Sequence, residues 1–327
     1  MQTQTPLLTI IIPFFNNEEF LASTLHSLYC QIEDDVEVIF IDDGSTDNSA
    51  SVVQQFVNNV SHTNVQFISQ ENGGIAHARN VGLKHAQGKY LTFLDGDDRL
   101  SKGYMKTLRP FMLSGDCDLI DFNYQRFTVE PNVIPESADV AYEVYNFEKY
   151  GLSCLEPLFK KSMWHLWNRI YKRTLLDGES FATGRRYEDV IFTPFIYFKT
   201  QNIVHLEHTL YFYRDNSQGI TRNVKPKDIE DMLFAMKKML IFAAREPDNQ
   251  ALKNLAAEMI VNCFNEVKSM SKRVYGYYFY EEQTIAILKE AARLCQGTSV
   301  RCKKRWQMRF PQTDTLLSSI RLKLKSG

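Results

Sequence analysis

Short apolar runs alternate with amphipathic stretches over the first hundred residues, and this alternation limits the possible folds more than any other feature of the chain. A short run rich in β-branched residues is typical of a strand buried in a parallel sheet. Four such runs occur, at Leu7–Pro13, Val36–Ile41, Val65–Ile68 and Lys89–Leu94. The segments between them that show helical spacing are Glu18–Gln31, Asn48–Val57 and Ile75–His85. The alternation predicts an α/β fold in which helices cover both faces of a mostly parallel sheet.

Composition and periodicity describe the rest of the chain. Its 327 residues, 44% hydrophobic and 24% charged, have globular proportions, which excludes disordered, collagen-like and disulfide-knot proteins. Residues 106–222 are rich in aromatic side chains and have a less regular pattern. In residues 223–327, Met and Leu recur at helical spacing, which is typical of a helix-packing core. We therefore predict three regions, 1–105, 106–222 and 223–327. The net charge of −1 argues against nucleic acid as a partner.

The cysteines and the apolar segments bear on the cellular location. The 6 cysteines are scattered, with neither a CxxC pair nor zinc-ligand spacing, which favours a reduced, cytoplasmic location. Met1–Leu8 does not resemble a secretory signal. No window approaches the roughly 18 apolar residues that a membrane-spanning helix needs. We expect a protein that is soluble or that lies on a membrane surface without crossing it.

Residues 300–327, here called the basic segment, combine positive charge with large apolar side chains. From residue 301 onward the only acidic residue is Asp314. The basic residues there are Arg301, Lys303, Lys304, Arg305, Arg309, Arg321, Lys323 and Lys325. Such a segment can lie on an anionic bilayer, with its apolar side toward the lipid. The alternative is a solvated helix that docks on the body of the protein.

Polar, flexible residues follow each of the four predicted strands. In open parallel sheets, ligands bind in the crevice beyond the carboxyl ends of the strands. These ends carry Asn16-Asn17-Glu18, Asp42-Asp43-Gly44, Asn72-Gly73-Gly74 and Asp95-Gly96-Asp97-Asp98. Such residues also form ordinary turns, and Ser45 or Asp47 can cap the helix that follows the second strand. Carboxylates from three of these ends on one edge of the sheet, however, would repel one another unless a cation lies among them.

Asp95-Gly96-Asp97 is the natural site for that cation. Two carboxylates one residue apart at the mouth of a strand can both reach a hard divalent ion through oxygen. An ion there would bridge a substrate diphosphate and neutralise the charge that develops on a leaving phosphate. The sequence therefore predicts Asp95 and Asp97 as ligands of Mn²⁺ or Mg²⁺.

The order of these motifs, and of others further along, resembles that of family 2 glycosyltransferases, which are inverting enzymes with the GT-A fold. The resemblance covers about the first 222 residues. Its segments are Pro13–Asn16, Asp42–Asp47, Asn72–Gly74, Ala78–Gly82, Gly88–Tyr90, Asp95–Asp98, Trp167–Tyr171, Tyr187–Phe192, Tyr213-Arg214 and Ile220–Arg222. It implies that region 1–105 binds a nucleotide sugar and that region 106–222 carries the acceptor site and the catalytic base.

The resemblance also implies roles for single residues at the donor site. Phe15 would stack on uracil where the family usually has Tyr, Asp43 would accept the imide N–H of the base, and Arg79 would lie at its carbonyl edge. Asp95 would lie near the ribose and the metal, and Asp97 would bind the metal. The other residues that we assign to this site are Pro13, Asn16, Glu18, Asn72 and Gly96. The structural alternatives are a core aromatic for Phe15 and a surface salt bridge for Arg79.

Two arginines flank a loop that could close over the diphosphate. Arg214 and Arg222 lie on either side of residues 215–221, and closure of this loop would exclude water. The family commonly has Ser before its Ile-Thr pair, whereas this chain has Gly219 there and Ser217 two positions earlier. The pattern therefore does not identify which hydroxyl of residues 215–221 would contact the diphosphate.

Asp189 is the predicted catalytic base, because the Glu188-Asp189 pair matches the Glu-Asp pair of the family. Inverting transfer needs a carboxylate opposite the leaving diphosphate to remove the proton of the acceptor hydroxyl. Glu188 would hold the acceptor or orient Asp189. Paired acids are also common at helix N-termini for electrostatic reasons alone. We expect Trp164, Trp167 and Asn168 to help form the sugar pocket, although both tryptophans could equally be core residues.

Together these features predict a metal-dependent inverting glycosyltransferase. It would move a hexose or N-acetylhexosamine from a UDP-sugar to a glycan hydroxyl. The acceptor would be a glycan or polyprenyl-diphosphate-linked saccharide of O-antigen, capsule or exopolysaccharide synthesis, at the cytoplasmic face of the inner membrane. The alternatives are a non-catalytic glycan-binding or assembly protein and a sugar nucleotidyltransferase. No GxGxxG motif follows any strand, which argues against a dinucleotide-dependent dehydrogenase.

Overall fold

A computed structural model describes residues 5–60, 64–129, 140–216 and 223–326. The strands in the described part are β1 (Leu8–Phe14), β2 (Val36–Asp42), β3 (Val65–Ser69), β4 (Tyr90–Phe93), β5 (Arg99–Leu100), β6 (Leu119–Phe127), β7 (Tyr142–Asn146), β8 (Arg169–Lys172) and β9 (Asn202–Arg214). The helices in the same part are α1 (Glu18–Tyr29), α2 (Ser49–Asn59), α3 (Ile75–His85), α4 (Tyr104–Ser114), α5 (Phe147–Tyr150), α6 (Glu156–Lys161), α7 (Glu188–Tyr197), α8 (Pro226–Ala243), α9 (Gln250–Tyr275), α10 (Glu282–Leu294), α11 (Cys302–Arg309) and α12 (Pro311–Ser326).

One mixed sheet contains all the strands of the described residues. Its order is β3-β2-β1-β4-β8-β6-β9-β5, and β7 also pairs with β9. β1 to β4 are mutually parallel, β8 runs antiparallel to β4, and β6 runs parallel to β9. The four predicted strands and the three predicted helices of the first hundred residues are confirmed, with ends that differ by at most two residues.

The two faces of the sheet are covered by different helices. Val38 and Phe40 of β2 belong to the apolar core that includes side chains of α1, α2 and α4, whereas Ile39 and Ile41 pack against Ala78 of α3. Successive strand residues point to opposite faces, so a continuous apolar run such as β2 needs cover on both sides. The prediction of a doubly covered sheet is confirmed.

The described chain divides into two compact units. The first comprises Met1–Lys149, His165–Glu188 and Phe195–Ser217, and the second comprises Tyr150–Trp164, Asp189–Pro194 and Gln218–Gly327, each in its described part. Within the second unit, α8 and α9 pack through buried Met and Leu side chains, as the helical spacing of these residues predicted. The functional division at residues 105 and 222 stays a prediction. No helix in the described ranges is long and apolar enough to span a membrane.

Gly82 allows α3 to approach β1 closely, and an alanine there should destabilise the protein. A Cβ atom on Gly82 would lie 2.3 Å from Cγ2 of the buried Ile11. Because overpacking forces side chains off their rotamers, we expect Gly82→Ala to lower the free energy of unfolding by about 1–3 kcal/mol. Urea denaturation measures this change. Lys84→Ala, an exposed position on the same helix, serves as the control and should change stability by less than about 0.5 kcal/mol.

Candidate active site

Hydrogen bonds between side chains and backbone join the ends of β1 and β2. Asn16 has a φ of +51°, and its Oδ1 accepts the Thr46 N–H at 2.8 Å. Glu18 Oε2 accepts the Asn48 N–H at 2.7 Å, and Asp47 Oδ2 accepts the Glu18 N–H at 3.2 Å. The N-termini of α1 and α2 therefore satisfy each other's N–H groups, which have no partner within their own helices.

Asp47 also accepts the Ser49 N–H at 2.9 Å, at the start of α2. Of the two candidates that the sequence offered, Asp47 is therefore the one that contacts the first N–H of α2, although the N-cap position itself is Asn48. The hydroxyl of Ser45, the other candidate, accepts the Asn16 N–H at 3.1 Å and so contributes to the junction of the two strand ends instead. Asn16 and Glu18, both assigned to the donor site, thus have structural contacts here, and their binding roles stay predictions.

Asp43 organises the loop that precedes α3. Its buried carboxylate accepts the N–H groups of Gly73 at 2.9 Å and Gly74 at 2.8 Å, and the side-chain amide of Gln70 at 2.7 Å. The side chain of Asn72 donates to the Asp43 carbonyl at 2.9 Å. Two donor-site residues far apart in sequence therefore meet at adjacent strand ends. Whether Asp43 also recognises a base stays a prediction.

Phe15 presents its ring at the surface. It follows directly after β1, and its side chain is 45% exposed. The structural alternative of a core aromatic is therefore wrong. The neighbouring Pro13 lies inside β1, where it pairs with Ile41 of β2. An exposed phenyl ring at a strand end can stack on a planar group, which is the role predicted for it.

Arg79 is buried between two carboxylates from distant parts of the chain. One guanidinium nitrogen donates to Asp95 Oδ1 at 2.8 Å and the other to Glu188 Oε1. The guanidinium also lies 5.8 Å from the centre of the Phe93 ring. Burial alone would lower the pKa of Arg79, but the charges of Asp95 and Glu188 raise the pKa above its ordinary value. The alternative of a surface salt bridge is therefore wrong, because this pair of contacts is inside the protein.

The turn after β4 brings three carboxyl groups together. Asp95 is partly exposed, Asp97 accepts from the Asn216 side-chain amide at 3.2 Å, and Asp98 is fully buried. Burial raises the pKa of Asp97, and the charge of Asp95 raises it further. Burial also raises the pKa of Asp98 well above its usual range, as do the charges of Asp97 and Asp95. The carboxylate oxygens of Asp95 and Asp97 are suitable ligands for a hard cation. The two negative charges repel each other, and a bound cation would relieve that repulsion.

Tyr211 ties this turn to the sheet, and sequence reasoning missed it. Its hydroxyl donates to Asp98 Oδ2 at 2.7 Å and accepts the Asp95 N–H at 3.2 Å. Asp98 also accepts the Arg214 N–H at 2.7 Å. The only available signal was the apolar and aromatic character of the strand that carries Tyr211. The sequence places Asp98 in the acidic strand end but predicts no role for it.

Arg214 lies beside the same turn. Its Nε donates to the Asp97 carbonyl at 2.7 Å, and its guanidinium lies 4.5 Å from the centre of the Phe127 ring. A further nitrogen donates to Ser23 Oγ at 3.2 Å. The predicted diphosphate contact of Arg214 stays a prediction. Arg222, Ser217 and Gly219, which belong to the proposed closing loop, lie outside the described residues.

Both tryptophans assigned to the sugar pocket are buried. Trp167 stacks on Tyr211 with ring centres 4.3 Å apart, and Trp164 packs edge-on against Phe159 at 5.0 Å. Asn168 is buried too, and its amide donates to the Phe122 carbonyl at 3.0 Å. These contacts favour the core interpretation of the two indoles. The stacking of Trp167 supports the position of Tyr211.

The Glu188-Asp189 pair begins α7. Tyr187, immediately before it, has a φ of +60°, which is a strained conformation for a bulky residue. Within the helix, Asp189 Oδ1 accepts the Val190 N–H at 2.8 Å. Glu188 is held by its ion pair with Arg79. The structure thus confirms a helix N-terminus for the pair, and the role of Asp189 as a base stays a prediction.

A metal here would depend on more than protein side chains. Within the described ranges, no group of three or more His, Cys, Asp or Glu side chains has the geometry to hold an ion. Two carboxylates with substrate phosphate oxygens are a common arrangement for Mg²⁺, which retains several waters or substrate ligands. Asp95 and Asp97 therefore fit a metal that binds together with a phosphorylated substrate.

A family model and the similar proteins of known sequence all point to the same family of glycosyltransferases. The model of the family described as Glycosyl transferase family 2 matches residues 9–185. The chain is similar to Glycosyltransferase GlyA of Streptococcus pneumoniae, with 28% identity over 72% of this chain but 34% of GlyA. It is 35% identical to the putative teichuronic acid biosynthesis glycosyltransferase TuaG of Bacillus subtilis, over 36% of this chain and 46% of TuaG. The matches thus span a third to a half of the length of these two relatives.

The fold also matches solved structures. The crystal structure of S. aureus TarS 1-349 in complex with UDP-GlcNAc superposes with a TM-score of 0.73 and 20% identity. The match covers 95% of this chain and 88% of that one. The predicted GT-A fold, with helices in the C-terminal region, is therefore confirmed.

Removing the Tyr211 hydroxyl should loosen the acidic turn. We expect Tyr211→Phe to lower the free energy of unfolding by about 1–3 kcal/mol, because Asp98 and the Asp95 N–H each lose a buried partner. Tyr213→Phe is the matched control, since Tyr213 stacks on the same Trp167 indole and, among the described residues, its hydroxyl makes no hydrogen bond to these aspartates. Denaturant unfolding compares them, and equal stability of the two variants would contradict the assigned role.

Proposed function

The chain belongs to glycosyl transferase family 2, and on that premise we propose that it is an inverting enzyme that uses a UDP-sugar as donor. The transferred group would be a hexose or N-acetylhexosamine, and the acceptor a sugar hydroxyl of a glycan. The observation that carries the proposal is the buried Arg79, which holds Asp95 of the acidic turn and Glu188 of the Glu-Asp pair. Two motifs that lie far apart in sequence, one in region 1–105 and one in region 106–222, thereby share one ion-paired cluster.

The donor side of the proposal depends on the rim at the ends of β1 to β4. Phe15 would stack on the uracil ring. Asp43 would accept the imide N–H of the base, and Arg79 would donate a hydrogen bond at its carbonyl edge. The exposure of Phe15 and the proximity of Asp43 to the Asn72–Gly74 loop support this placement. The likeness to a protein solved with UDP-GlcNAc favours uridine over other bases. Arg214 and Arg222 would contact the diphosphate.

Asp95 and Asp97 would hold Mn²⁺ or Mg²⁺ together with the donor diphosphate. When bound, the ion would neutralise negative charge on the departing UDP. A similar structure, the mannosyltransferase PcManGT of Pyrobaculum calidifontis, was solved with GDP-Man and Mn²⁺. In this chain, the repulsion between the Asp95 and Asp97 carboxylates supports a metal site there.

Asp189 would act as the base for the transfer. Its carboxylate would take the proton of the acceptor hydroxyl while that oxygen attacks the anomeric carbon and the bond to UDP breaks on the opposite face. The configuration at the anomeric carbon would therefore invert, so that an α-linked donor gives a β-linked product. Glu188, anchored by Arg79, would orient Asp189 or the acceptor.

The acceptor would be a growing bacterial surface glycan or a lipid-linked precursor of one. The likeness to a teichuronic acid glycosyltransferase supports this class. A non-catalytic assembly protein is the alternative, and it predicts glycan binding without release of UDP. A sugar nucleotidyltransferase would instead release pyrophosphate or consume a nucleoside triphosphate. An assay of UDP release with donor and acceptor present, together with an assay of pyrophosphate release from UTP and a sugar 1-phosphate, separates all three.

Donor binding should require the acidic turn. We expect titration calorimetry to detect binding of UDP or UDP-GlcNAc in the presence of Mn²⁺. We also expect Asp97→Asn to weaken that binding by at least about 10-fold, because a direct ligand is lost and even the loss of an outer-shell partner typically costs about 10- to 100-fold in metal affinity. Asp116→Asn, at an exposed loop position, is the control and should bind like the wild type. If no uridine compound binds with or without Mn²⁺, the donor proposal is wrong.

Loss of the Asp189 carboxylate should separate chemistry from binding. We expect Asp189→Asn to lower kcat by about 10²- to 10⁴-fold, which is the usual contribution of a general base, while UDP affinity stays within about twofold. The exposed Asp248→Asn in the second unit is the control, and its turnover should be unchanged. Near-normal turnover of Asp189→Asn would remove this residue from the mechanism.

A further inference from the structure

Helix α12 of the basic segment carries apolar side chains on two faces. One face is docked within the second unit: Asp314 accepts from Lys268 Nζ at 2.5 Å, and Ser318 Oγ accepts the Tyr278 N–H at 3.1 Å. On the same side, Leu322 lies against Gly276. The two alternatives for the segment, a docked helix and a surface-binding helix, are therefore compatible, since docking uses only one face.

The opposite face of α12 is apolar and exposed. Its large side chains are between 45% and 78% exposed. They are Leu316, Leu317, Ile320 and Leu324, here called the exposed stripe. At about 3.6 residues per turn, the spacings i, i+1, i+4 and i+8 place them within one arc of the helix, away from Asp314 and Ser318. Such a contiguous apolar stripe on a folded surface is typical of an interaction site.

Positive charge borders the exposed stripe. Helical periodicity places Arg321 on one side of it and Lys323 on the other, and both are exposed. Asp314, the single acid of the segment, is buried and paired with Lys268. The exposed part of the segment therefore has a net positive charge. Trp306 of α11 and Phe310, which directly follows that helix, add a further exposed aromatic pair, with ring centres 5.7 Å apart.

We propose that the exposed stripe of α12 binds the surface of an anionic lipid bilayer, with its four apolar side chains in the headgroup and acyl boundary and Arg321 and Lys323 at the lipid phosphates. A helix of this kind lies in the plane of the interface, and apolar burial and attraction to anionic lipid act together. A second copy of the chain is a poorer occupant, because a symmetric contact would bring Arg321 and Lys323 against the same charges of its partner.

Flotation of the full chain with lipid vesicles tests this inference. We expect the wild type to float with vesicles of phosphatidylcholine containing about 30% phosphatidylglycerol, and weakly with phosphatidylcholine alone. Flotation should fall as NaCl rises from about 0.1 M to about 0.5 M, since screening weakens the attraction. This salt series needs no variant. A wild type that does not float, or floats equally with both vesicle types, would overturn the proposal.

Variants locate the contact. We expect the triple variant Leu317→Gln, Ile320→Gln and Leu324→Gln to reduce the partition coefficient by about tenfold or more, and Arg321→Gln with Lys323→Gln to reduce it by about tenfold. Leu113→Gln with Val129→Gln, two exposed apolar positions of the first unit, is the matched control and should float like the wild type. Circular dichroism establishes that each variant is folded. If the triple variant is misfolded, the charge variant and the salt series decide.

Two further measurements distinguish membrane binding from donor binding and from self-association. UDP binding is measured on the same preparations, so a failure of the donor proposal appears there without affecting the flotation result. Sedimentation equilibrium reports self-association. If the wild type is an oligomer that the triple variant dissociates, and it does not float, the exposed stripe is a contact between copies and the membrane proposal is wrong.

Discussion

The crowding of carboxyl groups at the carboxyl ends of the parallel strands is the constraint on which the rest of the site depends. Carboxylates in a partly buried rim repel one another and lose hydration, so they need compensation from the protein or from a ligand. The protein supplies part of it through Arg79, whose guanidinium is shared by Asp95 and Glu188. Removing one partner of such a buried ion pair leaves an uncompensated charge. The resulting loss of stability is larger than the net stabilisation that the intact pair provides.

The remaining compensation comes mostly from neutral donors. Asp43 is satisfied by two backbone N–H groups of a glycine loop, and Asp98 by the Tyr211 hydroxyl and the Arg214 N–H. Asp97 receives one side-chain amide from Asn216 in addition to its local backbone contacts. Burial and mutual repulsion still raise the pKa of both Asp97 and Asp98, so the turn stays incompletely compensated, and a cation and a diphosphate bound there together would lower its electrostatic free energy.

How much of this could be predicted from the sequence depends on the range of the interactions. β1 to β4 and the helices between them follow from local periodicity, and the motifs mark the strand ends where the site lies. Tyr211 escaped prediction because its contact with Asp98 spans 113 residues. The order of β8, β6, β9 and β5 escaped for the same reason, since pairing between distant strands leaves no pattern within either strand. Phe15 and Arg79 were identified as site residues by motif, but only burial separated their functional and structural alternatives.

For helix α12, the sequence pattern did not predict which face packs against the protein. An amphipathic helix ordinarily docks its apolar side and exposes its polar side. α12 is held instead by polar contacts of Asp314 and Ser318, while Leu317, Ile320 and Leu324 face outward. Sequence alone could not distinguish the two faces, because both contain leucine. Since apolar side chains left in water are unfavourable in proportion to their exposed area, the outward face of this helix remains available for burial against a surface.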